Sequence, residues 1–532
     1  MTSSESYDYV IVGAGSAGCA VAGRLSEDPS LRVAVIEAGP PAKGRLFEIP
    51  ALWSQQLKSA FDWDFSTEPE PGLGRRREYL PRGRVVGGTS SMNTMLYVRG
   101  NPHDYDTWRE LGNEAWGYSD VLPWFRHSED NQRFDNAFHG RGGPLTVSDP
   151  VSVHSLLDAW IEAAQEAGHS HNDDFNGAVQ DGVGRYQVTQ RRGLRCSSAV
   201  AFLEPVADRR NLTVLSNTQA LSIGLDGGRA TSLLVDHCGT TRRINIEAEI
   251  VLCCGAYLSP HLLLQSGVGP ADDLAAAGIT PLHDLPDVGC HLRDHAGCFL
   301  SFLSSVPPVV GPDTSAEEAR LRAEGTGPMA RTEVGGFVRS TPDVEIPDIQ
   351  LHASLGVVRD EGLGVPLGHG IGWGPYVARP ASRGWVRLRH PTPYAKPRIF
   401  HAYLTENDDR IRLRHGIRIA MEIARQPAIR DLLETGLKEA AEMGLAPCSD
   451  TDDVIDQYIT DTAFSFYHPS GTCMMGPVVD HRLRVRGLAN VRVADTSVMP
   501  TLVTGNTNAP AIMIGERAAD FIKNSLAGVP RR

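Results

Sequence analysis

Apolar positions in this 532-residue chain cluster as short β-branched runs near both ends, and as alternating or helix-spaced patterns between them. Tyr9-Val10-Ile11-Val12 is uninterrupted and predicts a buried parallel strand. Arg32 to Ile36, Ile250 to Cys254 and Val491 to Ala494 read the same way. Cys19 to Leu25, Leu262 to Gln265 (stopped by Gly267 and Gly269) and Ala511 to Ile522 read as helices. Further in, Glu333 to Val338, Asp348 to His352 and Gly384 to Leu388 alternate like antiparallel strands with one solvated face. Asn407 to Glu442 is amphipathic, with Ile411, Leu413, Ile417, Ile419 and Ile423 as the expected buried stripe and Pro427 as a break into two helices. Gly39 to Pro71 suits an extended surface excursion. Pro307 to Pro328 has no period and reads as a surface loop, with a flap over a site as the alternative.

Gly13-Ala14-Gly15-Ser16-Ala17-Gly18 stands directly between the first strand and the first helix, and Glu37 closes the second strand. This is the dinucleotide fingerprint in its required context of strand, glycine turn, helix, strand and acid. Gly13 allows the tight turn, Gly15 lets backbone approach a pyrophosphate, and Gly18 lets helix and strand pack closely. The helix N-terminus offers free N–H groups to phosphate, and Glu37 can accept hydrogen bonds from ribose hydroxyls. The motif specifies an ADP moiety and leaves NAD and FAD both open.

The length exceeds one core and favours two domains. A net charge of -13 argues against nucleic-acid partners and anionic membrane surfaces. No apolar run has the length of a transmembrane segment. The opening MTSSESYDYV has neither a basic nor an apolar leader region, so a cytoplasmic location is expected. The nine cysteines contain no C-x-x-C pair, so neither a metal site nor a disulfide framework is expected.

A second glycine segment follows as Gly83-Arg84-Val85-Val86-Gly87-Gly88-Thr89-Ser90-Ser91-Met92-Asn93-Thr94. Taken alone it reads as a glycine hairpin or as backbone brought close to a ligand. Together with the first fingerprint it resembles the glucose–methanol–choline (GMC) family of FAD oxidoreductases. Three later stretches agree with that family's order: Cys254 to Gly269, Tyr467-His468-Pro469-Ser470-Gly471-Thr472-Cys473-Met474-Met475-Gly476, and Asn490 to Asp495 followed by Asn506-Thr507-Asn508-Ala509-Pro510. The bacterial choline-dehydrogenase-like branch is the most similar. The resemblance implies α/β architecture: a discontinuous Rossmann-like FAD domain (1–154, 194–298 and 464–532) and an α+β substrate domain on an antiparallel sheet (155–193 and 299–463). It implies cofactor contacts from Gly13, Gly15, Ser16, Gly18 and Glu37, and from Arg84, Gly87, Gly88, Ser91, Asn93 and Thr94. Gly255 and Ala256 join them, as do Asp495 and Asn508. Asp495 also reads as a helix N-cap, and Asn508 as a cap of the last helix.

The resemblance further implies a catalytic pair, His468 and Asn506. Imidazole suits proton abstraction from an alcohol, and an amide N–H aimed at the same oxygen stabilises the developing alkoxide. The implied activity is oxidation of a primary alcohol to an aldehyde, with hydride passing to flavin N5 and oxygen or another acceptor reoxidising the flavin. Oxidase and dehydrogenase stay open, and so does the oligomeric state. The family's flavin-linking histidine is replaced by Met92, which implies non-covalent FAD. Choline-oxidising members carry a Glu where Asp294-His295-Ala296-Gly297 has Gly297, which argues against choline. Glu333 reads either as the missing charge or as a solvated strand edge. Three rivals accompany this reading: a cyanohydrin-cleaving lyase that uses FAD only structurally, an NAD-dependent dehydrogenase, and an inactive flavin-binding interaction protein.

Overall fold

The apolar run at Tyr9–Val12 lies at the heart of a seven-stranded sheet. The computed structural model describes residues 5–307, 314–331, 333–357 and 367–527. Strand Glu5–Val12 pairs in parallel with Val33–Ile36 on one side and with Thr240–Leu252 on the other. Leu212–Leu215 extends the sheet beyond Val33–Ile36. Thr240–Leu252 does two jobs along its length. Its first half pairs antiparallel with Arg229–His237, which pairs with Thr218–Asp226, while Ile250–Leu252 pairs in parallel with Val491–Val493. Burial follows that division. Ile244 and Ile246 alternate with more exposed residues, whereas Ile250, Val251 and Leu252 are all buried, as expected where a parallel sheet is covered on both faces.

Helix Ser16–Leu25 packs against the last helix, Asn508–Ala527. Their crossing is close: a Cβ on Gly515 would lie 2.5 Å from the Ala17 carbonyl oxygen. The final helix therefore starts beside the glycine turn, although the two are almost the whole chain apart in sequence. No helix among the described residues is long and apolar enough to cross a membrane.

A second seven-stranded sheet is antiparallel throughout, in the order Phe464–Ser465, Ala296–Gly297, Gly370–Val377, Ile349–Leu355, Val334–Val338, Gly182–Arg185, with Leu300–Leu303 also on Gly370–Val377. One face packs on helix Asn407–Arg425. Leu413, Ile417 and Ile423 of the expected stripe are buried there, with Ile411 and Ile419 half-buried, and Gly416 lies against Pro375. Pro427 does end that helix.

Four sequence expectations are corrected. The middle strands have no solvated face: Val334–Val338 and Gly370–Val377 are wholly buried. Ile349–Leu355 does alternate, but its polar side chains Gln350, His352 and Ser354 point toward the interior between the two sheets and are also buried. Trp385–Arg387 leaves this sheet and forms a separate ribbon with Arg398–Phe400. Gly39 to Pro71 is not an extended surface segment, because short helices at Arg45–Glu48 and Pro50–Gln56 fold it down and bury Ile49, Leu52 and Phe65. Within Pro307 to Pro328, residues 308–313 lie outside the described set, and Ser315–Glu324 is a helix seated by Leu321 and ended by Gly325 at φ 72. Its apolar positions are too few to show a period.

Candidate active site

A large cavity runs from the glycine turn to the polar face of the second sheet. The turn explains its own sequence. Gly13 has φ 96, and a Cβ on Gly18 would overlap the Gly13 carbonyl oxygen. Gly15 is different. Its φ of -81 suits any residue, and an added Cβ would meet only the Cys253 carbonyl oxygen, at 3.7 Å. The space a side chain would take there is cavity space.

Most of the expected cofactor residues line this cavity: Gly13, Gly15, Ser16 and Glu37 from the first fingerprint, and Gly88, Asn93 and Thr94 from the second. Gly255, Ala256, Asp495 and Asn508 line it too. Four do not. Gly18 is a packing residue, and Gly87 is needed because a Cβ would overlap Ser91 Oγ. Ser91 is buried and donates to the Val86 carbonyl at 3.0 Å. Arg84 stacks over Trp63, 5.3 Å from the ring centroid, outside the cavity wall.

The acids are held by their own backbone. Glu37 accepts from Ala14 N at 3.0 Å and Gly39 N at 2.8 Å, and burial pushes its carboxyl up to about 7. Asp495 is the N-cap expected of it, accepting from Ser497 N at 2.8 Å, and it also takes Gly255 N at 2.9 Å and Ser259 Oγ at 2.5 Å. It thus pins the start of helix Gly255–Gln265 against the cavity. Asn508 opens the last helix and accepts from Ser16 Oγ at 2.7 Å, joining two helix N-termini at one place. These termini and the open face at Gly15 suit a phosphate-bearing ligand. Arg82, in the cavity wall, keeps Nε and Nη2 buried without a protein partner, which suits an electron-rich group.

His468 and Asn506 come together at the other end. Asn506 Nδ2 is 3.1 Å from His468 Nε2. The loop before His468 is forced: Tyr467 has φ 66, a left-handed conformation that a bulky residue adopts only when its surroundings impose it. Asp294 imposes it, accepting from His468 N at 2.6 Å, Ser465 Oγ at 2.6 Å and Tyr403 Oη at 2.7 Å. Next to it, His295 Nδ1 is 2.9 Å from His468 Nδ1. Burial holds the His468 imidazole well below its ordinary value, reinforced by His295, His352 and Arg82. It is therefore a neutral base in the resting site.

Sequence reasoning missed Gln350, Tyr376, His352 and Phe466, which stand around this pair. Gln350 Nε2 lies 3.2 Å from Asn506 Oδ1 and 3.0 Å from His352 Nε2, and Tyr376 Oη donates to Gln350 Oε1. A buried Gln and His on alternate positions of one strand were the available signal. Glu333 is not a solvated edge. It is buried, lines the cavity, and pairs with Arg331 at 2.8 Å and His352 at 3.4 Å. Burial raises its carboxyl, but Arg331 and His352 outweigh that and hold it below the usual range. Gly297 has no room for any side chain, since its Cβ would overlap the Pro375 carbonyl oxygen. Cys473 is fully buried and its thiol is pushed up by burial, as a packing residue's would be.

Comparison with known proteins agrees with this geometry. The GMC oxidoreductase family models match residues 7–297 and 380–515. An alcohol dehydrogenase [acceptor] from Pseudomonas putida is 39% identical, with 97% of this chain and 95% of that protein covered. An oxygen-dependent choline dehydrogenase from Brucella anthropi is 37% identical over the same shares, 97% and 95%. Among solved structures, pyridoxine 4-oxidase from Mesorbium loti superposes with a TM-score of 0.87 at 32% identity, covering 97% of this chain and 99% of that one. The chain belongs to the GMC oxidoreductase family, and its cofactor is FAD.

Proposed function

We propose that this protein oxidises an uncharged primary alcohol to the aldehyde. Bound FAD supplies the hydride acceptor. We read residues 1–154, 194–298 and 464–532 as the part that holds it, non-covalently because Met92 is a thioether, and 155–193 and 299–463 as the part that shapes the substrate end. Gly15, Ser16, Gly88, Asn93, Gly255, Asp495 and Asn508 would hold the cofactor, the open glycine face admitting its phosphates. Either oxygen or another acceptor takes the electrons in the second half-reaction.

The observation that carries the reading is the 3.1 Å approach of Asn506 Nδ2 to the Nε2 of a neutral His468 in the cavity wall. A hydroxyl brought from the cavity against both would give its proton to Nε2 in place of the Asn506 contact and hold its oxygen against the freed amide N–H. A positioned base contributes roughly 100- to 10,000-fold to such a step. The preference for an uncharged alcohol rests on Glu333, whose carboxylate is already ion-paired with Arg331 and in contact with His352, leaving no free charge for a quaternary ammonium.

Anaerobic mixing of the holoenzyme with a panel of neutral and cationic alcohols tests this. Bleaching of the flavin bands by neutral primary alcohols is the expected result, and the speed of recovery in air then distinguishes oxidase from dehydrogenase. Bands that no alcohol bleaches, with turnover of a cyanohydrin, would replace the oxidoreductase reading with the lyase.

A further inference from the structure

Histidine is a useful base only if the lone pair, not the N–H, faces the substrate, and which nitrogen carries the proton is set by what the other one meets. The hydrogen bonds around His468 can be followed outward until they reach a group with no choice. His295 Nε2 is 3.0 Å from the Ala378 carbonyl oxygen. A carbonyl only accepts, so Nε2 of His295 carries the proton. His295 is fully buried, stacked on the Tyr376 ring at 4.7 Å, and neutral, so its Nδ1 is a lone pair. That lone pair faces His468 Nδ1 at 2.9 Å, so His468 must donate from Nδ1, and its Nε2 is left bare.

The other end of the network demands the same answer independently. Tyr376 Oη donates to Gln350 Oε1, which turns Gln350 Nε2 toward Tyr186 Oη at 3.1 Å, His352 Nε2 at 3.0 Å and Asn506 Oδ1 at 3.2 Å. The Asn506 nitrogen therefore faces His468 Nε2, which can only accept from it. Every bond from Tyr376 to Ala378 points one way. Such one-directional chains polarise each member in the same sense.

We propose that His295 is a positioning residue that locks His468 in the tautomer with a bare Nε2, the Ala378 carbonyl being the fixed point of the chain. His295 does not line the cavity; it acts through His468 alone. When Nε2 takes the hydroxyl proton, Nδ1–H keeps its acceptor, so only the Asn506 N–H has to move, from Nε2 to the alkoxide oxygen. This inference rests on the alcohol-oxidation reading for its kinetic consequence, but not for the tautomer itself.

The test therefore has two arms. In holoenzyme labelled with 15N-histidine, with the His468 signals identified by their loss in His468→Ala, Nε2 should resonate as an unprotonated ring nitrogen and Nδ1 as a protonated one near neutral pH. A proton found on Nε2 would overturn the proposal even if the enzyme turns over alcohols. In the second arm, His295→Leu should keep FAD and bind the alcohol as before while the limiting rate of flavin reduction falls roughly 100-fold, a loss of base function rather than of binding. His295→Asn, whose amide oxygen can replace Nδ1 as acceptor, should recover most of that rate. An undiminished rate in His295→Leu would refute the lock. Should His295→Leu fail to fold, the nitrogen resonances decide alone. If no alcohol reduces the wild type, the activity reading falls while the resonances still judge the tautomer.

Discussion

Gln350 Nε2 stands 3.2 Å from Asn506 Oδ1, so a residue of the second sheet decides which end of the Asn506 amide faces His468. Gln350 is fully buried and its own orientation is set by Tyr376, which leaves Asn506 one favourable rotamer end. Replacing Gln350 by Leu removes that constraint. Flavin reduction at saturating alcohol should fall about tenfold, or about 1.4 kcal/mol of transition-state stabilisation, with FAD content unchanged. Stopped-flow reduction measures this, and an unaltered limiting rate would show that Asn506 is oriented by something else.

His468→Ala should retain FAD and lose about 100- to 10,000-fold of the reduction rate. The wild type carries a second signature. Because burial, His295, His352 and Arg82 hold His468 well below its ordinary value, the imidazole stays unprotonated as pH falls through about 6.5. The reduction rate should therefore be flat across that point and drop only at lower pH. A half-maximal rate at about 6.5 would mean the base is solvated.

The two inner glycines of the fingerprint should fail in different ways. Gly18→Ala places a methyl group on the Gly13 carbonyl oxygen and should destabilise the fold by about 1–3 kcal/mol or more. Gly15→Val has room within the protein but fills the cavity beside the helix N-terminus, so the chain should fold and emerge colourless. Thermal melts and flavin absorbance separate the two. A yellow Gly15→Val protein would place the phosphates elsewhere.

Acid should work against the buried histidines. His261, pushed down to about 4, and His295, to about 3, are both lowered chiefly by burial, as are His401 and His468. Below about 6.5 these four take up protons in the unfolded chain but not in the folded one, so stability is lost as pH falls from there. Glu37 and Glu70, both raised to about 7 mainly by burial, act in the opposite sense, since the folded chain holds their protons. Asp104, Glu249, Asp294 and Asp495, also raised chiefly by burial, act with the glutamates, so the histidine part is read by difference: the denaturant midpoint should fall less, or rise more, between pH 7 and pH 5 in His261→Leu than in the wild type. An identical change in both would contradict a buried, neutral His261.

Arg331→Met should turn the substrate end toward cations. It removes the partner 2.8 Å from Glu333 and leaves a buried carboxylate facing the cavity with only His352 beside it. The KM for a trimethylammonium alcohol should fall by about tenfold relative to that for a neutral alcohol of equal size, an effect of roughly 1.4 kcal/mol. Equal changes for both would show that Glu333 does not sense substrate charge.

The cofactor end of this protein was legible in the sequence because its requirements are local. Gly13 needs a positive φ, Gly18 needs contact with a residue five positions away, and the strand and helix that frame them announce themselves by period. The proposed catalytic pair was legible only through motif resemblance. His468 and Asn506 are 38 residues apart, and nothing in either stretch says that they meet. The polar face of the second sheet was misread because alternation reports two unlike faces, not what covers them: His352 and Ser354 line the cavity, and Gln350 is buried among Tyr186, Tyr376 and Asn506. The Asp294-His295 pair was visible but its work was not. Asp294 holds the His468 backbone and His295 its ring, through contacts across 174 and 173 residues. The chain alone determined which chemical groups are present and which turn they flank. The proton on His468 was decided by the tertiary structure, because a tautomer depends on the direction of every hydrogen bond out to the Ala378 carbonyl, and direction is a property of the assembled network.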